Sequence, residues 1–319
     1  MVVKEHMAAM KAERIALVKD ASVEDAIAVV FAGCLKHWTA NEPAALSGLD
    51  PEGVHEMRVA LRRMRVALSD FKEIIPVAQV EWLKCESKWL LSSLSSARDW
   101  DVFLCELLKS VEASRPRDTG LAELRMAAEA ERETGYAEVS RAIRSPRYSA
   151  LLARVNRWLS SKSWRKPGNA RRKVLDESAE RLAGRLLTKR HKVVLKLGRD
   201  FKKLSPDERH QLRMALKKLR YTAEFFRSLY RKKRERAYFH ALDQLQSSLG
   251  HMNDIVVADH LLERLSAARE DRRISSHLQT AAGIVSGWYA HSAATSEDEA
   301  ESTWREFCVR NAFWGKNRN

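Results

Sequence analysis

Apolar residues recur every three to four positions along almost the whole chain, and no stretch alternates apolar and polar residues as a half-buried strand would. Ser22, followed by Glu24 and Asp25, reads as the N-cap of a helix reaching about Trp38, which Asn41-Glu42-Pro43 ends. Asp50-Pro51-Glu52 restarts a helix with proline at its first position, where no N–H is missed, and this helix runs to about Ile75. Further helices are predicted at roughly 79–96, 99–113, 120–144 and 147–160, then at 171–202, 206–231, 235–250, 253–270 and 272–292. A last one, at about 297–311, follows the acidic start Glu297-Asp298-Glu299. Only 12 glycines and 7 prolines punctuate 319 residues, too few for the turns of a sandwich or barrel. The fold class is all-α.

Self-comparison decides the organisation. Displaced by 155 residues, Pro51 falls on Pro206, His55 on His210, Arg58 on Arg213, Arg65 on Arg220 and Phe71 on Phe226. The match continues without a gap through Leu94 on Leu249, Asp99 on Asp254 and Leu107 on Leu262, giving 15 identities over positions 49–107. Two pseudo-symmetric helical bundles from an internal duplication are expected. Their order is an N-terminal extension 1–20, a first half 21–160, a linker 161–170 containing Pro167-Gly168-Asn169, and a second half 171–315.

Charge changes the picture. The 57 Lys and Arg against 42 Asp and Glu leave a net +15 and a pI near 9.8, which implies a polyanionic partner: nucleic acid, membrane surface or phosphate polymer. The longest apolar run, Ala26 to Leu35, is ten residues, well short of the roughly 20 a membrane span needs. The N-terminus carries charges where a signal peptide needs its apolar stretch. Cys34, Cys85, Cys105 and Cys308 form no C-x-x-C pair, and a reducing cytoplasm fits best.

The charge is organised. His55, Arg58, Arg62 and Arg65 fall on one helical stripe roughly 80° wide, and His210, Arg213, Lys217 and Arg220 repeat it. An apolar stripe (Met57, Leu61, Met64, Leu68, Phe71) lies some 120° away for the core. A solvated basic face is the plain reading of any one such helix. Like charges repel, however, and neither stripe contains an Asp or Glu to compensate. The same uncompensated stripe occurring twice argues for an expected anion. DNA readers need base-reading side chains on a recognition helix, and single-strand binders need aromatic platforms; apart from the neighbouring Tyr221 the stripes have none, and the nine tryptophans are expected mostly in the core. Arg-rich rows supply what a phosphate ligand needs, and two rows facing each other would line a channel. Arg63 and Lys218 beside the stripes belong to the same candidate site, as does Arg98; Lys189, Lys192, Tyr221 and Asn253 are additional candidates. Asp99 and Asp254 read either as N-caps or as residues orienting the basic side chains.

Catalysis is not expected. There is no G-x-x-x-x-G-K-[ST], no G-x-G-x-x-G and no H-E-x-x-H, so neither a metal nor a cofactor site is read from the sequence. His55 and His210 are read as having no carboxylate three or four residues away to tune them. Beside a bound polyanion they are expected to take up protons between about pH 8 and 6; the alternative is neutral packing at a helix start. The competing functional class is a basic helical protein that binds nucleic acid.

These residues resemble a known family. His55-Glu56-Met57-Arg58-Val59-Ala60-Leu61-Arg62-Arg63-Met64-Arg65 and His210-Gln211-Leu212-Arg213-Met214-Ala215-Leu216-Lys217-Lys218-Leu219-Arg220-Tyr221 are similar to the paired signature of the CHAD domain, a conserved-histidine α-helical domain. Arg98-Asp99-Trp100-Asp101-Val102 and Leu249-Gly250-His251-Met252-Asn253-Asp254 resemble its second paired segment, and the likeness covers about residues 20 to 315. The resemblance implies two helical bundles around a basic pore, inorganic polyphosphate as ligand, association with polyphosphate granules and their other proteins, and nucleic acid only as a weaker competitor. Some members carry an N-terminal triphosphate-tunnel domain with a Glu-x-Glu-x-Lys start. Nothing here matches it, so triphosphatase activity is not implied.

Overall fold

A computed structural model describes residues 8–165, 173–267 and 276–315. The first helix, α1 (Val23–Ala40), starts on a reciprocal capping box: the Asp25 N–H donates to Ser22 Oγ at 3.1 Å and the Ser22 N–H to Asp25 Oδ2 at 3.0 Å. A short helix absent from the sequence reading follows, α2 (Glu42–Ser47), which ends at Gly48 with φ +66°. That left-handed residue turns the chain into α3 (Pro51–Asp70), capped by the Asp50 carboxylate. Gly53 lets α2 and α3 touch; a Cβ there would lie 2.6 Å from the Ala44 carbonyl carbon.

Next come α4 (Val77–Ser93), α5 (Ser95–Val102), a π-helical stretch Phe103–Leu108, α6 (Lys109–Ser114), α7 (Thr119–Ile143) and α8 (Pro146–Ser160). Beyond the linker lie α9 (Ala179–Leu197), α10 (Pro206–Phe226), α11 (Lys232–Ala267) and α12 (Ser276–Val309). The described residues form no sheet; the one extended pairing is an isolated bridge between Ser22 and Ser178. No helix among them is long and apolar enough to cross a membrane.

Two expected breaks are absent. The chain passes through Gly250 to Asp254 inside α11, and through Glu297–Glu299 inside α12. A glycine inside a helix costs only about 1 kcal/mol, and α11 and α12 form the most extensive helix pair among the described residues, which outweighs it. Asp99 and Asp254 are therefore helix-interior residues, not N-caps.

The apolar packing forms two clusters. The larger runs from Ile15 through Phe31, Phe71 and Leu216 to Phe313; the smaller joins Trp100, Phe103 and Leu124 to Ile255, Leu278 and Tyr289. Both draw on residues before and after the linker. Within the linker, Trp164 is buried against Trp158 at 5.0 Å and Arg165 pairs with Glu24, while residues 166–170 lie outside the described part.

In the N-terminal extension, residues 8–18 form neither helix nor strand and are held by both halves. Asn41 exchanges hydrogen bonds with the Met10 backbone at 2.9 Å each, and the Leu17 N–H donates to Ser228 Oγ at 2.8 Å. A buried joint ties α3 to the second half more tightly. Asp70, at the end of α3, accepts from Arg190 of α9 at 2.6 Å and from Thr222 of α10 at 2.6 Å.

Candidate functional site

Packing of α3 against α10 brings parts of the two basic stripes together. Arg58 is only 9% exposed; its Nη1 donates to the Leu91 carbonyl at 2.9 Å and to Ser95 Oγ at 2.8 Å, at the break between α4 and α5. Its Nε is buried and has no hydrogen-bond partner among the described residues. Burial, with Arg62 and Arg98 nearby, pulls its guanidinium down to about 10, against the attraction of Asp99. Arg62 is half-buried and makes no hydrogen bond or ion pair among the described residues.

From the facing helix, Arg213 points its Nη2 toward Asp254 at 3.8 Å, and its Nε is buried with no hydrogen-bond partner among the described residues. Lys217 sits deepest in the cluster's field. Burial first, then Arg213 of its own helix and Arg62 and Arg58 of α3, push its ammonium down to about 7, opposed by Asp254 of α11. A cavity of about 320 Å³ opens here, lined by Arg62, Arg65, Lys84, Lys217, Lys218 and Tyr221 among others. Arg65 is fixed at its wall by a 2.9 Å bond from Nη1 to the Lys84 carbonyl. Lys84, on α4, escaped the sequence reading because it belongs to neither stripe.

Other expected site residues are placed differently. Arg63 is buried, paired with Glu224 and stacked over Phe225 with its guanidinium 5.3 Å from the ring centre; it links α3 to α10 and does not line the cavity. Arg220 is neutralised by Glu224 at 2.9 Å and Asp243 at 2.5 Å. Arg98 lies between Glu52 at 3.5 Å and Glu106 at 3.2 Å. Within the stripes, then, acids pair only with the second helix, Asp254 with Arg213 and Glu224 and Asp243 with Arg220, while Arg58 and Arg65 are held by neutral acceptors. Lys192 is exposed on α9, Lys189 lines a separate cavity, and the Asn253 side chain lies outside the described residues.

The two histidines occupy unlike places. His55 is half-buried, and burial together with Arg98 pushes it down to about 4. It is neutral between pH 6 and 8 in the free protein, as both the proton-uptake expectation and the packing alternative require. The expectation that it has no carboxylate one turn away is also corrected. Glu52 precedes it by three residues, and donor atoms of Glu52, His55 and Glu56 lie within 4.8 Å of one another. Arg98 faces Glu52, while Glu56 bonds His37 Nε2 at 2.9 Å, so existing partners engage both carboxylates. His210 is exposed, on the lining of the separate cavity that also holds Lys189. The second stripe is headed by the solvent-facing turn Ser205–Glu208, whereas the first is covered by α5.

The profile of the CHAD domain family matches residues 29–263. The chain belongs to the CHAD domain family. Its fold is similar to the crystal structure of the CHAD domain from the plant Ricinus communis, with a TM-score of 0.81 and 31% identity, covering 96% of this chain and 98% of that one. PptA from Streptomyces chartreusis has a similar fold at a TM-score of 0.66 and 15% identity, over 89% of this chain and all of that one. Two uncharacterized proteins of Mycobacterium tuberculosis, each from a different strain, are 27% identical over 222 residues, 68% of this chain. The match spans 41% of the length of those relatives.

Proposed function

We propose that this CHAD domain binds inorganic polyphosphate without catalysing its reaction, that the chain threads a basic channel between the duplicated α3 and α10 halves, and that the protein acts on polyphosphate granules. The observation that supports this most is the uncommitted cation pair Arg62 and Lys217, which meets from the two helices beside the buried guanidinium groups of Arg58 and Arg213. Cations held together at the expense of their own charge state are stabilised by a repeating anion. Such a ligand needs no base-reading contacts and no aromatic platform.

Equilibrium binding to polyphosphates of graded length tests the reading. Affinity is expected to rise with length until the cluster is spanned, and to fall steeply with salt, with a log–log slope of several units from released counterions. Long polyphosphate is expected to displace labelled DNA or RNA far better than the reverse. A salt-independent affinity, or nucleic acid as the stronger competitor, overturns the assignment.

The lowered Lys217 also fixes a pH dependence. A bound polyanion favours the ammonium, so the complex holds more protons than the free protein above about pH 7. Affinity for long chains is expected to rise as pH falls from about 9 to 7, approaching tenfold per unit, and to level off below. Calorimetry in two buffers of different ionisation enthalpy reads the uptake directly. Lys217→Met flattens the profile, and His55→Gln leaves its shape unchanged.

A further inference from the structure

A second, larger cavity adjoins the one beside Arg62 and Lys217. It holds about 860 Å³ between the end of α3, α9 and α10, within the roughly 300–1,000 Å³ typical of small-molecule sites. Its wall is aliphatic, formed by Ile74, Leu182, Leu186, Val193 and Met214, with no Phe, Tyr or Trp in the lining. Val193 and Met214 remain 45% and 38% exposed.

The polar lining is unevenly committed. Arg190 is engaged by Asp70 at 2.6 Å and Arg185 by Glu177 at 2.9 Å. Lys72, Lys189 and Lys218 also line the cavity, and their ammonium groups make no hydrogen bond or ion pair among the described residues; against them stands one similarly unengaged carboxylate, Glu73.

We propose that this cavity binds a single-chain amphipathic anion, with its alkyl chain on the aliphatic wall and its carboxylate or phosphate head beside Lys72, Lys189 and Lys218. Polyphosphate gains nothing from an aliphatic wall, which is stabilised by covering it with apolar surface. A nucleotide base finds no Phe, Tyr or Trp face here and leaves the aliphatic wall uncovered, and a neutral lipid leaves the three ammonium groups unused. The site does not rest on polyphosphate binding; Ser69, Met214 and Lys218 line both cavities, but the Arg62–Lys217 pair belongs to the other.

Dodecyl phosphate, titrated calorimetrically into the full chain below its micellar concentration, tests the proposal. Saturable one-to-one binding is expected, at least about tenfold tighter than that of neutral dodecyl maltoside or inorganic phosphate, with dodecanoate comparable. Val193→Asp and Met214→Asp, at exposed positions that spare the fold, and Lys189→Glu at the head are each expected to weaken it about tenfold. The Arg62→Glu/Lys217→Glu variant should bind dodecyl phosphate normally. Absent binding, equal affinity for dodecyl maltoside, indifference to both apolar variants, or loss of binding in Arg62→Glu/Lys217→Glu each overturns the proposal.

Discussion

Arg62→Glu/Lys217→Glu is expected to lower the affinity for long-chain polyphosphate by at least a hundredfold while leaving the protein folded. Each of these half-buried side chains lacks an ion pair among the described residues, so its charge is free for a ligand. A charge-assisted hydrogen bond is worth about 1.5–3 kcal/mol, so losing two from a shared site costs roughly 3–6 kcal/mol before the new repulsion is counted. Folding should not suffer, because the substitutions relieve crowding among Arg58, Arg62, Arg213 and Lys217. Arg58→Glu is a poorer test, since it also removes the bonds to Leu91 and Ser95 that join α3 to the α4–α5 break. Lys192→Glu, exposed on α9, serves as the control for net charge and should change affinity no more than a few-fold. Titrations of wild type, the double variant and the control at one salt concentration decide the matter. If the double variant binds within threefold of wild type, the ligand does not use the α3–α10 junction.

The helices that sequence reading locates best carry local start signals. Ser22 with Asp25, Asp50 with Pro51, and Ser205 with Pro206 satisfy or dispense with the first backbone N–H groups regardless of what packs nearby, and α1, α3 and α10 begin there. Continuity through Gly250 depends instead on a partner helix more than 25 residues away in sequence, which no local pattern reveals. The short α2 was hidden for the opposite reason: Asn41-Glu42-Pro43 carries a stop signal and a start signal in the same three residues.

The cationic cluster was half legible. Helical geometry puts Arg58 and Arg62 on one edge of α3, and that edge does face the corresponding edge of α10. The same geometry sets Arg63 roughly 100° on from Arg62, toward the packed side, where Glu224 and Phe225 receive it. Acids supplied by distant elements could not be read from the stripes at all. Asp254 and Asp243 become partners of Arg213 and Arg220 only through tertiary packing, which is why the second stripe looks uncompensated in sequence. The unlike surroundings of His55 and His210 have the same origin, since identical residues on matching helices meet different neighbours.

Arg190→Met is expected to destabilise the fold by about 3–5 kcal/mol, the usual cost of leaving one buried charge without its partner. The Asp70 side chain is fully buried, and its carboxylate is held by Arg190 Nε and Nη2 at 3.1 and 2.6 Å and by Thr222 Oγ1 at 2.6 Å. Burial already raises its pKa, and Arg190 and Thr222 hold that rise back. Without the guanidinium the pKa climbs further, so the native state must either keep an unpaired buried anion or take up a proton. A raised carboxylate pKa makes the unfolded state the weaker proton binder, so the added loss grows as pH rises. Urea unfolding at pH 5 and pH 8 should therefore show a larger deficit for Arg190→Met at pH 8. Adding Asp70→Asn should recover part of it, because the amide carries no charge to strand. Asp70 closes α3 while Arg190 and Thr222 sit on α9 and α10, so the joint fixes the angle at which the two basic helices meet. Arg190→Met should accordingly weaken polyphosphate binding even where the protein remains folded, through misplacement of Arg62 relative to Lys217. An unchanged unfolding midpoint at both pH values would show that the joint contributes nothing to holding the halves together.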